Sequence, residues 1–184
     1  MKWSILILTQ VSREKYLHYL LQTLEPQVEQ YSDQVELIIR YCDSRMSVGD
    51  NRQTMREQAK GEYSNFIDDD DLVPTTYVRD LLPLMDGVDF IGHRISRYDD
   101  EVFTGEYEHS LRHKGSSSPH STPHVNPTKT ELALKVPMSG GYGEDRRWWY
   151  ELMDSNLIVT ENYLDEVEYS YYYRSNKSDG VATS

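Results

Sequence analysis

Apolar runs alternate with amphipathic segments through the first 82 residues of the chain. Residues 2–9 (KWSILILT) form an apolar, β-branched run that is typical of a strand buried on both faces. Residues 12–26 carry leucines at the spacing i, i+3, i+4 and i+7, which predicts an amphipathic helix. We expect Ser12 to cap this helix and Pro26 to end it. Its leucines are Leu17, Leu20, Leu21 and Leu24.

Two further apolar runs predict strands in the same half of the chain. Residues 34–41 (QVELIIRY) predict a second buried strand, and residues 62–67 (EYSNFI) predict a third. Each is short, rich in β-branched or aromatic residues and bounded by polar segments.

Helices are predicted after the second and third strands. Residues 49–61 form a helical segment that Gly61 is expected to close. Residues 74–82 form another, with Pro74 at its first position. Because strand and helix alternate three times, we predict an α/β fold with a mostly parallel central sheet flanked by helices.

The second half of the chain is less regular. Its predicted strands are 88–96, 101–108 and the Tyr-rich 166–175, and its predicted helices are 128–136 and 144–155. A Ser/Pro/His-rich loop at 110–127 is long enough to suggest a functional role.

Composition narrows the classes of protein to consider. The formal net charge of −12 argues against an unaided electrostatic grip on nucleic acid or on an anionic membrane. The single cysteine, Cys42, excludes an internal disulfide and fits a reducing cytosol, so we predict a cytoplasmic protein. The N-terminal apolar run is too short for a signal peptide, and no segment approaches the ~20 apolar residues of a membrane span.

Four consecutive aspartates, Asp68 to Asp71, follow the third predicted strand. In a parallel α/β sheet, ligands bind outside the carboxyl ends of the strands. Carboxylates gathered there could hold Mg²⁺ or Mn²⁺, which take oxygen ligands and usually share them with phosphates. The alternative is a solvated acidic loop whose last aspartate caps the next helix.

The aspartates belong to a longer series of motifs. A strand ending in Thr9 leads to SREKYL, a second ends in YCDS, and NRQTMREQAKGEY then precedes FIDDDDLVP. This series resembles the nucleotide-sugar half of family 2 glycosyltransferases with the GT-A fold. Downstream, PHVNPTKTELALKV, GYGEDRRWW and YLDEVEYSYYYRS resemble the second half of small bacterial and phage members.

The resemblance implies one GT-A-like domain over residues 1–184. Residues 1–85 would bind the nucleotide-sugar, residues 86–175 would form the acceptor-side half, and residues 176–184 would be a flexible tail. The implied activity is a metal-dependent transfer of a sugar from a nucleotide-sugar, with a UDP-sugar favoured, to an acceptor hydroxyl. Inversion at the anomeric carbon is implied as well.

The resemblance also suggests metal ligands. Asp70 would bind Mn²⁺ or Mg²⁺, and Asp68 would bind the metal, its water or the ribose. Asp69 or Asp71 could serve instead, because four consecutive aspartates leave the register open by one residue. His124 could complete the metal site or touch the diphosphate, and His120 is a weaker candidate. A histidine in such a loop can equally be exposed and without a role.

Nucleotide-sugar binding is carried over to positions that match the family pattern. These positions are Thr9, Arg13, Asp43, Arg52, Asp68 and Asp69. Asp43 could accept the imide N–H of uracil or thymine, or it could be a turn residue. The arginines could equally be solvated helix charges. Cys42 and Gln53 depart from the family pattern, which has an acidic residue and an asparagine there.

Asp145 is predicted to be the catalytic base, with Glu144 beside it. In GYGED the glycines allow close approach of the backbone to a ligand. The first turn of a helix favours an ionised carboxylate, which could take the proton from an acceptor hydroxyl. Both could instead be ordinary helix-start carboxylates. Trp148 and Trp149 are expected in the core, although one could stack on a sugar ring.

Two other functions and several acceptors stay open. A sugar nucleotidyltransferase would need a Gly-rich loop near the N-terminus, which LTQVSREK lacks, and a non-catalytic nucleotide- or sugar-binding module is the other alternative. The acceptor could be a glycan, a lipid, a protein or a hydroxymethyl-pyrimidine base in phage DNA. Duplex binding would need basic residues to cluster on the acceptor face. These residues are Arg112, His113, Lys114, Arg146 and Arg147.

Overall fold

A computed structural model describes residues 1–113 and 123–175 of the chain. Seven strands in these ranges form one sheet: β1 (Trp3–Thr9), β2 (Val35–Tyr41), β3 (Tyr63–Phe66), β4 (Phe90–Asp99), β5 (Val102–His109), β6 (Thr128–Lys129) and β7 (Glu161–Tyr173). The α-helices are α1 (Glu14–Gln30), α2 (Val48–Gln58), α3 (Tyr77–Leu81), α4 (Thr130–Ala133) and α5 (Glu144–Asp154). Short 3₁₀ turns lie at Val11–Arg13, Leu82–Leu84, Leu111–His113 and Pro123–Val125.

The sheet has the strand order β2-β1-β3-β6-β4-β5, with β7 paired to the other edge of β4. Strands β1, β2, β3, β4 and β7 run in one direction, whereas β5 and β6 run against them. The predicted single-domain α/β fold with a mostly parallel sheet is therefore confirmed. The carboxyl ends of β1, β2 and β3 lie side by side along one border of the sheet. The aspartate run follows β3 at this border, which we call the aspartate edge.

Two apolar clusters cover the two faces of the sheet. Trp3, Ile5 and Ile7 of β1 pack into the first cluster, which α1 and α3 join, and Leu6 packs into the second, which α2 and α5 join. Residues 3–7 are all fully buried, which confirms that β1 is covered on both faces. Burial of this kind contributes roughly 25 cal/mol per Å² of apolar surface.

The prediction of a second strand buried on both faces was wrong for β2. This strand pairs only with β1, so it forms an edge of the sheet. Val35 is buried, but Ile39 is 37% exposed and Arg40 is half-buried. The apolar run alone cannot distinguish an edge strand from a central one, because the neighbouring strand is supplied by the fold.

Helix α1 does not end at Pro26 but continues to Gln30, with Pro26 inside it. Tertiary contacts beyond the proline explain the extra turn. The Gln27 side-chain amide donates to the carbonyls of Thr23 (2.8 Å) and Pro74 (3.0 Å), and its oxygen accepts from the Val78 amide (3.0 Å). These bonds hold the last turn against α3. Ser12 is not the cap either, because it lies in the 3₁₀ turn before α1 and makes no capping bond.

Three other predicted helix boundaries need correction. Helix α2 begins after Ser47, whose Oγ accepts from the Asp50 amide, and ends at Gln58 rather than at Gly61. Gly61 is instead required by close packing, since a Cβ there would lie 2.5 Å from the Ser4 nitrogen. Pro74 lies three residues before α3, in a turn.

The predicted helix at 128–136 is mostly not helical. Its first two residues form β6, which bridges β3 and β4, and only Thr130–Ala133 are helical. The predicted loop contains two 3₁₀ turns, and its residues 114–122 lie outside the described residues, as does the tail at 176–184. In the part of the chain that the structure describes, no helix has the length and apolar character to cross a membrane.

Candidate active site

The last aspartate of the run anchors it to the C-terminal strand. Asp71 is 1% exposed, and its carboxylate accepts from the Tyr169 hydroxyl (2.7 Å) and from the Tyr172 amide (2.7 Å). The Tyr169 oxygen also accepts from the Asp68 amide (3.1 Å), and Leu72 pairs with Ser170. Burial, followed by the charge of Asp70, raises the pKa of Asp71 well above its usual value. Asp71 therefore shapes the loop from inside the protein.

We expect Tyr169→Phe to destabilise the protein by ~1–3 kcal/mol, because a buried carboxylate oxygen and a buried amide lose their shared partner. Urea unfolding would measure the loss. Tyr171→Phe is a matched control on the same strand, since the Tyr171 hydroxyl has no hydrogen-bond partner among the described residues. Equal stability of the Tyr169→Phe variant and the wild type would show that β7 does not anchor the loop.

The other three aspartates differ in exposure. The side chains of Asp68 and Asp70 are 27% and 24% exposed, whereas that of Asp69 is only 3% exposed. Asp69 accepts from the Thr9 hydroxyl (2.6 Å) and pairs with Arg13 (2.5 Å). Burial raises the pKa of Asp69 to about 6, although Arg13 and Thr9 favour its charged form. Only Asp68 and Asp70 thus present part of their carboxylates to solvent.

Arg52 joins the aspartate run to the start of α5. Its Nη2 lies 2.5 Å from Asp68 Oδ1 and its Nη1 lies 3.2 Å from Glu144 Oε1. Burial opposes ionisation of Asp68, but the charge of Arg52 holds its pKa well below the usual range. Burial raises the pKa of Glu144, with Arg52 again acting in the opposite direction. Arg52 is therefore an internal bridge and not a solvated helix charge.

His124 forms a second link between the same two parts. It is 4% exposed and lies between two carboxylates, with Nε2 3.3 Å from Asp68 Oδ2 and Nδ1 3.4 Å from Asp145 Oδ2. Both distances are long for charge-assisted hydrogen bonds. The imidazole is therefore held in the site without being tightly bound by either carboxylate. The interpretation of His124 as an exposed loop residue was wrong.

Helix α5 brings Asp145 to the site. Gly143 precedes the helix with φ +83°, a left-handed conformation that favours glycine. Asp145 then lies in the first turn, where its Oδ1 accepts from the Arg146 amide (2.7 Å). Farther along α5, Trp148 and Trp149 are 1% and 6% exposed. Both lie in the apolar core, as expected, and neither presents a ring face on which a sugar could stack.

Sequence reasoning missed Arg174 as a member of this site. Its Nη1 lies 3.3 Å from Asp70 Oδ2 and donates to the Asp70 carbonyl (3.0 Å). Its guanidinium lies over the rings of Tyr16 and Tyr172. Local sequence patterning carries no signal for this placement, because it depends on the parallel pairing of β7 with β4, which brings the carboxyl end of β7 to the aspartate edge of the sheet.

Asp43 is not brought into contact with the other candidates. Its carboxylate accepts from the Arg45 amide (3.0 Å) and from the Arg45 guanidinium (3.0 and 2.7 Å), which holds the pKa of Asp43 well below its usual range. The nucleobase of a bound nucleotide would have to compete with Arg45 for the Asp43 carboxylate.

The described basic residues that were proposed for the acceptor face each have their own partners. Arg112 covers Tyr163 and His113 contacts Glu108, whereas two arginines of α5 contact Tyr150 and the Ser139 carbonyl. Those arginines are Arg146 and Arg147. Lys114 and His120 lie outside the described residues.

The side chains around Asp68 fit a hard divalent cation. Arg52 holds one oxygen of Asp68 and Arg13 contacts one oxygen of Asp70, but the second oxygen of each carboxylate has only a contact at 3.3 Å. Carboxylate oxygens with a nearby imidazole suit Mn²⁺ and Mg²⁺. Within residues 1–113 and 123–175, no three acidic, His or Cys side chains already converge as a metal site. A cation there would need water or phosphate oxygens to complete its ligands.

Comparison with solved structures identifies similar folds. A crystal structure of S. aureus TarS 1-349 in complex with UDP-GlcNAc matches with a TM-score of 0.67 and 17% identity, over 100% of this chain and 62% of that one. Glucosyl-3-phosphoglycerate synthase from Mycobacterium tuberculosis, in complex with Mn²⁺, UDP and glucosyl-3-phosphoglycerate, matches with a TM-score of 0.60 and 12% identity. That match covers 92% of this chain and 71% of the synthase.

These likenesses confirm the predicted GT-A-like fold. The chain spans only about 60% of the length of the TarS 1-349 structures. No protein-family model matches the sequence, and neither does a curated protein.

Proposed function

We propose that this chain is a metal-dependent glycosyltransferase that uses a nucleotide-sugar, preferably a UDP-sugar. The observation that carries the proposal is the pair of bridges made by Arg52 and His124. They join the partly exposed Asp68, just after β3, to the two acidic residues at the start of α5. The two halves of the sequence resemblance, far apart in the chain, therefore meet in one site at the ligand-binding edge of the sheet.

Asp68, Asp70 and His124 would hold Mn²⁺ or Mg²⁺ together with the diphosphate of the sugar donor. The bound cation would act as a Lewis acid toward the leaving nucleoside diphosphate. The charge balance supports this role, because five carboxyl groups of the site face only three guanidinium groups. Of the solved structures with a similar fold, that of TarS 1-349 contains UDP-GlcNAc, and that of the synthase contains UDP and Mn²⁺.

Nucleotide binding would use side chains already held at the sheet edge. Arg13 and Arg174 can exchange an aspartate contact for a phosphate oxygen, since both favour anionic oxygens. Thr9 and Asp69 keep Arg13 in place. Asp43 would read the base once Arg45 has moved from its carboxylate.

Asp145 would act as the catalytic base. It takes the proton of an acceptor hydroxyl as that oxygen forms a bond to the anomeric carbon. The bond from this carbon to the diphosphate oxygen breaks at the same time, and the nucleoside diphosphate leaves with the electron pair. One displacement inverts the anomeric configuration. Glu144, paired with Arg52, fixes the first turn of α5 and so positions Asp145.

The acceptor would be a hydroxyl compound. A glycan is favoured over duplex DNA, because the net charge is −12 and Arg112 and Arg147 are engaged by partners within the protein. A hydroxymethyl-pyrimidine base would therefore have to be presented outside a duplex. Action in the cytoplasm remains a prediction from the single cysteine.

Thermal melting with nucleotides tests the proposal directly. We expect UDP or a UDP-sugar to raise the melting temperature when Mn²⁺ is present and to raise it far less with EDTA. A ligand at ~100 times its dissociation constant stabilises the folded state by ~2.7 kcal/mol, which a melt detects readily. AMP with Mn²⁺ is the control. Absence of any response to a panel of nucleoside diphosphates and their sugars would refute the proposed function.

A further inference from the structure

Apart from the candidate active site, a cleft opens between β7 and the segment that contains α3 and the turn after it. Its volume is about 620 Å³, within the ~300–1,000 Å³ typical of small-molecule sites. Arg79 and Asp80 line one side, and Leu164, Val167 and two glutamates of β7 line the other. Those glutamates are Glu166 and Glu168. The cleft shares no residue with the candidate active site.

Glu168 is the one buried residue among those that line this cleft, with 2% exposure. Its Oε2 has no hydrogen-bond partner in the described part of the chain. The nearby cation, Arg79, is engaged elsewhere, since it donates from Nε and Nη2 to the two oxygens of Asp80 (2.7 and 3.1 Å). A buried carboxylate oxygen without a partner is costly, and a cationic group bound in the cleft would relieve this cost.

The surroundings of Glu168 disfavour its ionised form, so that a bound cation would stabilise the carboxylate. Burial, followed by the charges of Asp80 and Glu166, raises the pKa of Glu168 to about 7, and Arg79 offsets only part of this. Leu164 and Val167 are half-buried beside it and offer an apolar wall. Such a wall suits an organic cation better than a hydrated metal ion. Among the described residues that line this cleft, no three metal-ligating side chains converge.

We propose that this cleft binds a small organic cation whose ammonium or guanidinium group pairs with Glu168. The apolar part of the ligand would lie on Leu164 and Val167, and the exposed Glu166 would attract the cation at the rim. The proposal is independent of the sugar-transfer activity.

Agmatine, which carries both a guanidinium and an ammonium group, is a suitable probe. Titration calorimetry at pH 8, where Glu168 is ionised, and at constant ionic strength would measure its dissociation constant. We expect Glu168→Gln to weaken binding at least tenfold and Glu166→Gln to weaken it two- to threefold. Glu25→Gln removes an equal charge from an exposed position on α1 and should leave the constant unchanged.

Two results would overturn the proposal. One is the absence of agmatine binding to the wild-type protein. The other is equal binding by the wild type and by both cleft variants, which would mean that the overall negative charge attracts agmatine without a site. Should Glu168→Gln fail to give a folded protein in far-ultraviolet circular dichroism, the Glu166→Gln comparison still decides between these results.

Discussion

Asp145→Asn is expected to reduce sugar transfer by ~10²–10⁴-fold while leaving UDP binding within about twofold of wild type. The amide cannot take the proton of the acceptor hydroxyl, but it has nearly the same shape. It can still accept from the Arg146 amide and remain beside His124. The rate of UDP release from the UDP-sugar that stabilises the wild type, with a panel of acceptors, would measure the loss.

The control for this variant lies on the same helix. Asp154→Asn removes one charge at the exposed far end of α5 and should transfer at the wild-type rate. If Asp145→Asn retained transfer at near wild-type rate, the base would lie elsewhere and Glu144 would become the next candidate. If it instead lost UDP binding, Asp145 would belong to the nucleotide site.

Asp70→Asn should remove most of the metal-dependent nucleotide binding. An amide oxygen is a weaker ligand for a hard cation than a carboxylate, and the substitution also removes a negative charge that would attract the cation. Changes near metal ligands commonly cost ~10–100-fold in affinity, so loss of a ligand itself should cost at least ~100-fold. The melting shift given by UDP with Mn²⁺ should then nearly disappear.

The two metal conditions make this test specific. With EDTA, Asp70→Asn should respond to UDP at least as strongly as the wild type, because the substitution removes the metal ligand but also frees Arg13 and Arg174 from Asp70. Asp33→Asn controls for the altered net charge, because Asp33 is exposed and lies just after the end of α1. An undiminished response of Asp70→Asn in Mn²⁺ would exclude Asp70 as a ligand and leave Asp68 and His124 to hold the cation.

The sequence predicted the elements that local patterning determines. β1, α1, β2, α2 and β3 appear in the predicted order, because apolar runs mark the strands, spaced leucines mark α1 and the connections are short. Asp68 and Asp70, which the resemblance suggested as metal ligands, are the two partly exposed aspartates of the run, and Asp69 is buried. The resemblance left the register open by one residue, and only the structure shows that Asp71 turns inward to β7.

The remaining errors share a physical cause. Pro26 did not end α1 because Gln27 bonds to α3, and residues 128–136 were not a helix because β6 completes the sheet between β3 and β4. Likewise, Arg174 entered the site because β7 pairs with β4 over its whole length. Each outcome depends on residues far away in the chain, which a local pattern cannot supply.

The anchoring of the aspartate loop by β7 also affects how the protein is made. Tyr169 and Tyr172 each lie 101 positions from their partners in the loop. Closing a loop of that length costs ~4 kcal/mol of chain entropy. At ~5–20 residues per second, the ribosome would synthesise the aspartates several seconds before the strand that holds them. We therefore expect the nascent chain to form β1, β2 and β3 first, and to gain its nucleotide site only when the final strand docks.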